Sequence, residues 1–238
     1  MSVVAVIPAR YASSRFPGKP LVDIAGKPMI MRIYEQVVAC GEIDKVLIAT
    51  DDVRIRDAVE AFGAQPAMTS PECLSGTDRV AQAISGLDAD YVVNVQGDQV
   101  ILDIDALAGL VRELKAGAAM ATIATRALPE DTNDPNCVKV VCDLKGNALY
   151  FSRSPIPYFR NTGHVEMLKH IGIYGFSRET LLRFTILPPS SLEQAESLEQ
   201  LRALENGISI RVIIAQGEFY EINTPQDRER LLTQWRPS

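Results

Sequence analysis

The feature that most constrains the fold is the apolar run Val3–Ile7, followed by Pro8 and a loop that lacks acidic residues. A run rich in β-branched residues that is apolar at consecutive positions is typical of a buried strand in a parallel sheet. Ligands in open α/β sheets bind outside the carboxyl ends of the strands. The opening segment therefore predicts both a sheet and the edge of that sheet where a site is expected.

Strands and helices are predicted to alternate through the first half of the chain. The strands are expected at 2–8, 45–50, 67–69 and 91–96, and the helices at 28–40, 53–62 and 77–85. After Gly97 the order is mixed, with strands expected at 120–126, 138–142, 148–152, 169–176 and 209–215, and helices at 103–115, 178–184, 192–205 and 225–234. The pattern predicts one α/β domain, 1–238, in which a Rossmann-like, mixed but mostly parallel sheet has helices on both faces. A smaller mixed-strand subdomain is expected at roughly 120–190.

Composition excludes several classes of protein. A formal net charge of −6 argues against a nucleic-acid partner, which needs a basic face. No apolar run reaches the roughly 18 residues of a membrane span, and the N-terminus lacks the basic region of a signal peptide. The four cysteines form no C-x-x-C pair and are expected to be reduced. We therefore expect a cytoplasmic protein that contacts neither nucleic acid nor membrane.

The loop after the first strand carries Arg10, Arg15 and Lys19, with Gly18 beside the last of them. Cations and exposed backbone amides at the end of a first strand are suited to binding a polyphosphate. The alternative is a solvated basic loop, but the position after the first strand favours phosphate. Neither G-x-x-x-x-G-K-[ST] nor G-x-G-x-x-G occurs, which argues against classical kinases and dinucleotide dehydrogenases.

Two further segments carry polar groups at predicted strand or helix ends. Asp98 follows the buried strand 91–96 and Gly97, where a carboxylate suits Mg²⁺ together with substrate phosphate oxygens, or else caps the next helix. The turn 75–79 (Ser-Gly-Thr-Asp-Arg) offers amides and hydroxyls to a base or ribose, and its arginine could reach a phosphate. On local grounds, Ser75 or Thr77 as a simple helix N-cap is the stronger interpretation of that turn.

These segments together resemble a known family over nearly the whole chain, the CMP-Kdo synthetases (3-deoxy-manno-octulosonate cytidylyltransferases), a branch of the sugar nucleotidyltransferases. Each motif is weak alone, but six in order are specific. The six are 7–21 (IPARYASSRFPGKPL), 75–79 (SGTDR), 94–98 (NVQGD), 148–153 (ALYFSR), 169–175 (KHIGIYG) and 198–202 (LEQLR).

The resemblance implies an enzyme of lipopolysaccharide biosynthesis that joins CTP to the eight-carbon acidic sugar Kdo with Mg²⁺, giving CMP-Kdo and pyrophosphate. It also implies a homodimer, with the 120–190 subdomain serving sugar binding and dimerisation. In such an enzyme the sugar's anomeric hydroxyl attacks the α-phosphate in line, while the protein positions two anions and stabilises charge.

The resemblance also assigns roles to residues. The triphosphate and the catalysis are assigned to Arg10, Arg15 and Lys19. Nucleotide binding is assigned to Ala9, Arg10, Ser75, Gly76, Thr77, Arg79 and Gln96. The metal is assigned to Asp98, and the sugar pocket to Arg153, His170, Tyr174, Glu199 and Gln200, with Arg153 as the fork for the sugar's carboxylate. From the residues alone, His170 could equally be a core histidine, and Glu199 could simply pair with Arg202.

The chain departs from the family pattern at two places. The family has Gln-Gly-Asp-Glu-Pro where this chain has Gln99 and Val100 at the last two positions. The family's second metal carboxylate is replaced by Asn223, whose amide oxygen can coordinate Mg²⁺ without contributing charge. Three hypotheses follow: a working CMP-Kdo synthetase that relies on Asp98, an enzyme for an 8-amino analogue of Kdo with Gln99 in the altered site, and a non-catalytic protein that binds CTP or a sugar nucleotide.

Overall fold

The computed structural model describes residues 1–12, 16–161 and 166–235. Its strands are β1 Val3–Pro8, β2 Asp23–Ile24, β3 Lys27–Pro28, β4 Lys45–Thr50, β5 Gln65–Met68, β6 Tyr91–Asn94, β7 Gln99–Ile101, β8 Met120–Arg126, β9 Lys139–Cys142, β10 Ala148–Ser152, β11 Leu168–Ser177, β12 Ile210–Ile214 and β13 Tyr220–Glu221. Its α-helices are α1 Met29–Val38, α2 Val53–Ala61, α3 Gly76–Ala83, α4 Ile104–Lys115, α5 Arg178–Thr185, α6 Ser191–Glu196, α7 Gln200–Glu205 and α8 Pro225–Gln234. No helix in these ranges is long and apolar enough to cross a membrane.

The chain divides into two compact units. One consists of Met1–Ile104 and Gly217–Ser238, and the other of Asp105–Gln216. The second unit includes the 120–190 segment that the sequence suggests as a subdomain and is longer at both ends.

The first unit is built on a parallel sheet with the strand order β6-β1-β4-β5. Val3 to Ile7 of β1 are all buried. Because successive side chains of a strand point to opposite faces, this burial means that both faces of β1 are covered, as the sequence predicts. The parallel arrangement brings the carboxyl ends of β1, β4, β5 and β6, and the loops that follow them, to one edge of the sheet.

The second unit has a mixed sheet with the order β12-β8-β11-β9-β10. The β12–β8 pair is parallel, and the pairs β8–β11, β11–β9 and β9–β10 are antiparallel. The predicted hairpin is present, since β9 and β10 pair through Cys142 and Ala148 and the Asp143 amide donates to Asn147 O at 2.8 Å.

Two local expectations were wrong. The helix predicted over 192–205 is two helices, α6 and α7, because Ser197 takes a left-handed conformation with φ 51°. The interpretation of Asp98 as a helix cap also fails, because β7 lies between Asp98 and the first turn of α4. In both places contacts distant in sequence determine the local conformation.

Candidate active site

The loop after β1 is folded back on itself. Gly18 has φ 72°, a conformation that favours glycine, and its amide donates to Tyr11 O at 2.9 Å. The Arg10 guanidinium donates to Cys73 O and to Ser75 O, the latter at 3.4 Å, so it ties this loop to the segment before α3. Arg15, predicted to bind the triphosphate, lies outside the described residues.

Lys19 and Asp98 form an ion pair. Lys19 Nζ lies 2.9 Å from Asp98 Oδ2, and the two side chains are only 13% and 23% exposed. The loop after β1 and the loop after β6 thus bring a predicted phosphate-binding cation against the predicted metal carboxylate. The pair neutralises both charges in a partly desolvated place, so an incoming polyanion or metal ion competes for one of its members.

Gly97 allows these two loops to approach. A Cβ atom at this position would lie 2.4 Å from Pro8 O, much closer than the 3.4 Å at which ordinary contacts begin. Residue 97 must therefore lack a side chain if Asp98 is to lie beside the end of β1.

The segment that contains Asn223 is joined to the main chain of Asp98 and Gln99. The Ile222 amide donates to Asp98 O at 3.0 Å, and β13 pairs with β7 through Glu221 and Gln99. The Asn223 side chain donates Nδ2 to Glu221 Oε1 at 2.6 Å. No group of three or more His, Cys, Asp or Glu side chains in the described ranges could hold a metal by itself. A single carboxylate such as Asp98 fits Mg²⁺ that is bound chiefly through substrate phosphates.

The turn that opens α3 combines a helix cap with predicted nucleotide contacts. Ser75 caps α3 in a capping box with Asp78, as local sequence reasoning favours. Thr77 is buried, and its hydroxyl lies 3.5 Å from Asn94 Nδ2. Gln96 Oε1 is 3.8 Å from the position of a Cβ on Gly76. The structure therefore brings the predicted residues Gly76, Thr77 and Gln96 together.

Arg79, by contrast, is completely buried. It donates Nη2 to Asp51 Oδ2 at 2.8 Å and Nη1 to Thr69 Oγ1. These contacts join α3 to the ends of β4 and β5. The geometry favours a role for Arg79 in supporting the turn that opens α3 over direct contact with a phosphate. Ala9, also predicted at the nucleotide, is buried and donates its amide to Ala49 O at 2.8 Å.

His170 in β11 is hydrogen-bonded to Thr122 in β8. Its Nε2 is 3.0 Å from Thr122 Oγ1, and the same hydroxyl donates to Ile173 O at 2.7 Å. A hydroxyl has one hydrogen, so when Thr122 donates it to Ile173 O, His170 donates Nε2–H to Thr122 and Nδ1 is an acceptor. Burial lowers the pKa of His170 to about 3, so the ring is neutral at physiological pH. The ring packs against Phe151 and Tyr174, which fits a core histidine and also leaves Nδ1 for a ligand hydroxyl.

Two other predicted sugar residues, Tyr174 in β11 and Gln200 in α7, are buried. Tyr174 is buried, and burial followed by the nearby charge of Glu199 raises its pKa well above the ordinary value. Gln200 is 4% exposed, and its Nε2 has no hydrogen-bond partner in the described part of the chain. A buried donor without a partner costs free energy, which a ligand acceptor would recover. Arg202 pairs chiefly with Glu193, at 2.5 Å, and lies 4.0 Å from Glu199.

Arg153 is held by main-chain carbonyls. Its guanidinium donates to Glu196 O at 2.7 Å, to Pro135 O at 2.9 Å and to Ser197 O at 3.2 Å. A fork for a sugar carboxylate needs guanidinium hydrogens directed at the ligand, and the protein uses three of the five N–H hydrogens of this guanidinium. Arg153 therefore stabilises the second unit by joining the main chain at Pro135 to that at Glu196 and Ser197.

Sequence reasoning missed three residues that support these groups: Asp51, Glu196 and Lys139. Asp51 pairs with Arg79, Glu196 accepts hydrogen bonds from Ser152 Oγ and the Arg153 amide, and Lys139 is a fully buried cation. The available signal was the position of Lys139 among valines in a predicted strand, where a charged side chain is unusual.

Comparison with known proteins identifies the family. A family model described as cytidylyltransferase matches residues 4–210. The chain belongs to the cytidylyltransferase family. It is 48% identical to the 3-deoxy-manno-octulosonate cytidylyltransferase of Synechococcus elongatus, over 96% of each protein. It is also 48% identical to the 8-amino-3,8-dideoxy-manno-octulosonate cytidylyltransferase of Shewanella pealeana, over 95% of this chain and 96% of that protein.

The structure of this cytidylyltransferase is similar to a solved CMP:2-keto-3-deoxy-manno-octonic acid synthetase complexed with CTP. The TM-score is 0.94 at 41% identity, over 98% of both chains. The family resemblance and the mixed α/β fold class expected from the sequence are both confirmed.

Proposed function

We propose that this cytidylyltransferase transfers the cytidylyl group of CTP to the anomeric hydroxyl of Kdo, releasing pyrophosphate, and so supplies CMP-Kdo for lipopolysaccharide synthesis. The observation that carries the proposal is the full-length likeness to a CMP-Kdo synthetase bound to CTP. In the reaction, a bond forms between the anomeric oxygen and the α-phosphorus while the bond from the α-phosphorus to the α,β-bridging oxygen breaks. That oxygen leaves with pyrophosphate, and the hydroxyl proton passes to water. The protein's part is to position two anions and to stabilise the charge that develops.

The nucleotide contacts all lie in the first unit. Lys19 is the cation best situated for the triphosphate, since it already lies against Asp98 in a partly buried site. Arg10 holds the loop before α3 through the Cys73 and Ser75 carbonyls, which presents Gly76 and its neighbours to the nucleotide. An ammonium in a partly dry site stabilises negative charge on the leaving pyrophosphate more strongly than it would in water.

We propose Mg²⁺ as the metal, with Asp98 as its charged protein ligand and the Asn223 amide oxygen beside it. When bound, Mg²⁺ neutralises phosphate charge and polarises the phosphoryl oxygens. Asn223 contributes no charge, so Lys19 carries a larger share of the phosphate charge than in an enzyme with a second carboxylate.

The sugar contacts are proposed for the second unit. The neutral His170 ring offers an acceptor at Nδ1, and Gln200 offers its unpartnered Nε2–H as a donor. Together they suit sugar hydroxyls, which both donate and accept hydrogen bonds. Arg153 supports these contacts by holding the main-chain carbonyls of Pro135, Glu196 and Ser197.

A pyrophosphate-release assay tests this function. Each of the four nucleoside triphosphates is combined with Kdo, with another acidic sugar or with no sugar, at several Mg²⁺ concentrations. We expect release that requires CTP, Kdo and Mg²⁺ together. If CTP binds by calorimetry and no acidic sugar gives pyrophosphate, the protein is the non-catalytic binder considered above and the proposal fails.

The 8-amino analogue of Kdo is a second candidate substrate. Gln99 replaces the glutamate expected beside Asp98, is 4% exposed, and has an Oε1 atom without a partner in the described ranges. A relative named for the 8-amino sugar is as similar as the Kdo enzymes. Competition between Kdo and its 8-amino analogue, for the wild type and for Gln99→Glu, discriminates. A preference for the analogue that Gln99→Glu reverses would establish the second candidate, and a preference for Kdo would exclude it.

A cytoplasmic location and a homodimer complete the proposal. All four cysteines are free thiols, which suits a reducing compartment. Leu144 and Leu149 of the β9–β10 hairpin are strongly exposed, and an apolar surface of this kind suits a second copy of the chain. Analytical ultracentrifugation measures the oligomeric state, and a monomer at micromolar concentration would contradict the homodimer.

A further inference from the structure

Lys139 is a buried cation that the proposed mechanism leaves without a role. Its side chain is 0% exposed, and its ammonium donates to Asp134 O at 2.7 Å, to Cys137 O at 2.7 Å and to Arg153 O at 3.0 Å. These bonds use all three ammonium hydrogens, and every acceptor is a main-chain carbonyl. Burying an ammonium costs several kcal/mol unless its hydrogen bonds compensate, so the conformation of the carbonyls is strongly specified.

Arg153 extends the same pattern to a third segment. Its guanidinium donates to carbonyls of Pro135, Glu196 and Ser197. Lys139 and Arg153 together therefore hold six carbonyls, and we call these two cations and their acceptors the carbonyl brace. The brace joins the loop 134–137, the end of β10 and the junction between α6 and α7.

That junction is where α7 takes its direction. Ser197 has φ 51°, a conformation that residues other than glycine rarely adopt and that surrounding contacts must stabilise. Glu196 is fixed from its other side, because its carboxylate accepts from Ser152 Oγ at 2.6 Å and from the Arg153 amide at 3.0 Å. α7 begins at Gln200, directly after the junction and Glu199. The brace therefore fixes the start of α7, where the predicted sugar contacts Glu199 and Gln200 lie.

We propose that Lys139 is a positioning residue for the sugar substrate. By holding the main chain of Arg153 and of the loop 134–137, it fixes the α6–α7 junction so that Glu199 and Gln200 meet the sugar. The inference rests on the proposed function. It concerns the second unit alone, so loss of Lys139 should weaken the use of the sugar and leave CTP binding in the first unit unchanged.

Lys139→Met is the main test, since methionine keeps an apolar stem of similar length and removes the three donors. Lys145→Met is the matched control, because Lys145 is exposed on the turn of the same hairpin. We expect Lys139→Met to raise the KM for Kdo on the order of tenfold, because small misplacements of binding groups cost this much. The Kd for CTP, measured by calorimetry without sugar, should stay within about twofold of the wild-type value. Lys145→Met should match the wild type in both.

Glu196→Ala removes the carboxylate that binds Ser152 and the Arg153 amide, and so loosens the same junction. It tests the inference if Lys139→Met does not fold. It should also raise the KM for Kdo without changing the Kd for CTP. Unchanged KM values, or equal losses for both substrates in folded variants, would overturn the inference. Wild-type pyrophosphate release is measured first, so failure of the proposed function would be seen separately and before any variant is compared.

Discussion

Gly97→Ala should disable the site through one methyl group. The added Cβ would meet Pro8 O at 2.4 Å, whereas ordinary contacts begin at 3.4 Å. The obstacle is backbone, which cannot rotate away as a side chain can. The loop that carries Asp98 must then move by about 1 Å from the end of β1, and a misplacement of that size can cost on the order of 10²-fold in rate. We expect a loss of about that size in kcat/KM for CTP.

The assay is the initial rate of pyrophosphate release with CTP varied at saturating sugar, alongside a thermal melt that shows the variant is folded. Gly41→Ala is the matched control, because nothing lies within 4 Å of a Cβ there and its backbone conformation is open to alanine. A folded Gly97→Ala enzyme within about threefold of the wild type would refute the reasoning, since a shift of 1 Å costs more than that.

Three further predictions concern single charges. Lys19→Ala should lower kcat on the order of 10²-fold in the pyrophosphate assay, as the loss of an oxyanion donor does, and a loss below about threefold would mean that the loop lies outside the reaction. Asn223→Asp should lower the Mg²⁺ concentration needed for half-maximal turnover, because it adds a carboxylate to the proposed metal site; an unchanged or higher requirement would place Asn223 away from the metal. The pKa of His170 is lowered from 6.5 to about 3, so between these pH values the unfolded chain takes up a proton that the folded protein refuses. The stability of the wild type should therefore fall as pH drops below 6.5, by about 2 kcal/mol relative to His170→Gln at pH 5, as measured by denaturant unfolding; parallel pH profiles would contradict the neutral ring.

Elements of the fold could be predicted from the sequence where the local residue pattern agrees with the burial of the side chains. The apolar run of β1, the turn at Asp143–Asn147 and the cap at Ser75 are each encoded within a few residues. The edge of the sheet that carries the candidate site was also predictable, because parallel strands bring their carboxyl ends together whatever the conformation of the loops. That rule predicts that Lys19 and Asp98 lie at the same edge of the sheet, whereas their ion pair is seen only in the structure.

The second unit was harder to predict because contacts distant in sequence override local preference there. The segment 192–205 has helical composition throughout, and its break at Ser197 depends on Arg153, more than forty residues earlier in the chain. The same contact uses the guanidinium that the family resemblance assigns to the sugar. A lysine among valines at position 139 gave the one sign of a buried polar network, and nothing local indicates that its partners are carbonyls.

The order in which the two units are completed has a consequence for synthesis on the ribosome. Asp105–Gln216 is continuous, so the second unit has all of its sequence before Gly217 is translated. The first unit lacks β13 until then, and with it Asn223 and the Ile222 amide that binds Asp98 O. In a nascent chain, the second unit can thus be complete while the first unit is still incomplete. The surroundings of Asp98 are therefore completed last, only when the segment after Gly217 has emerged.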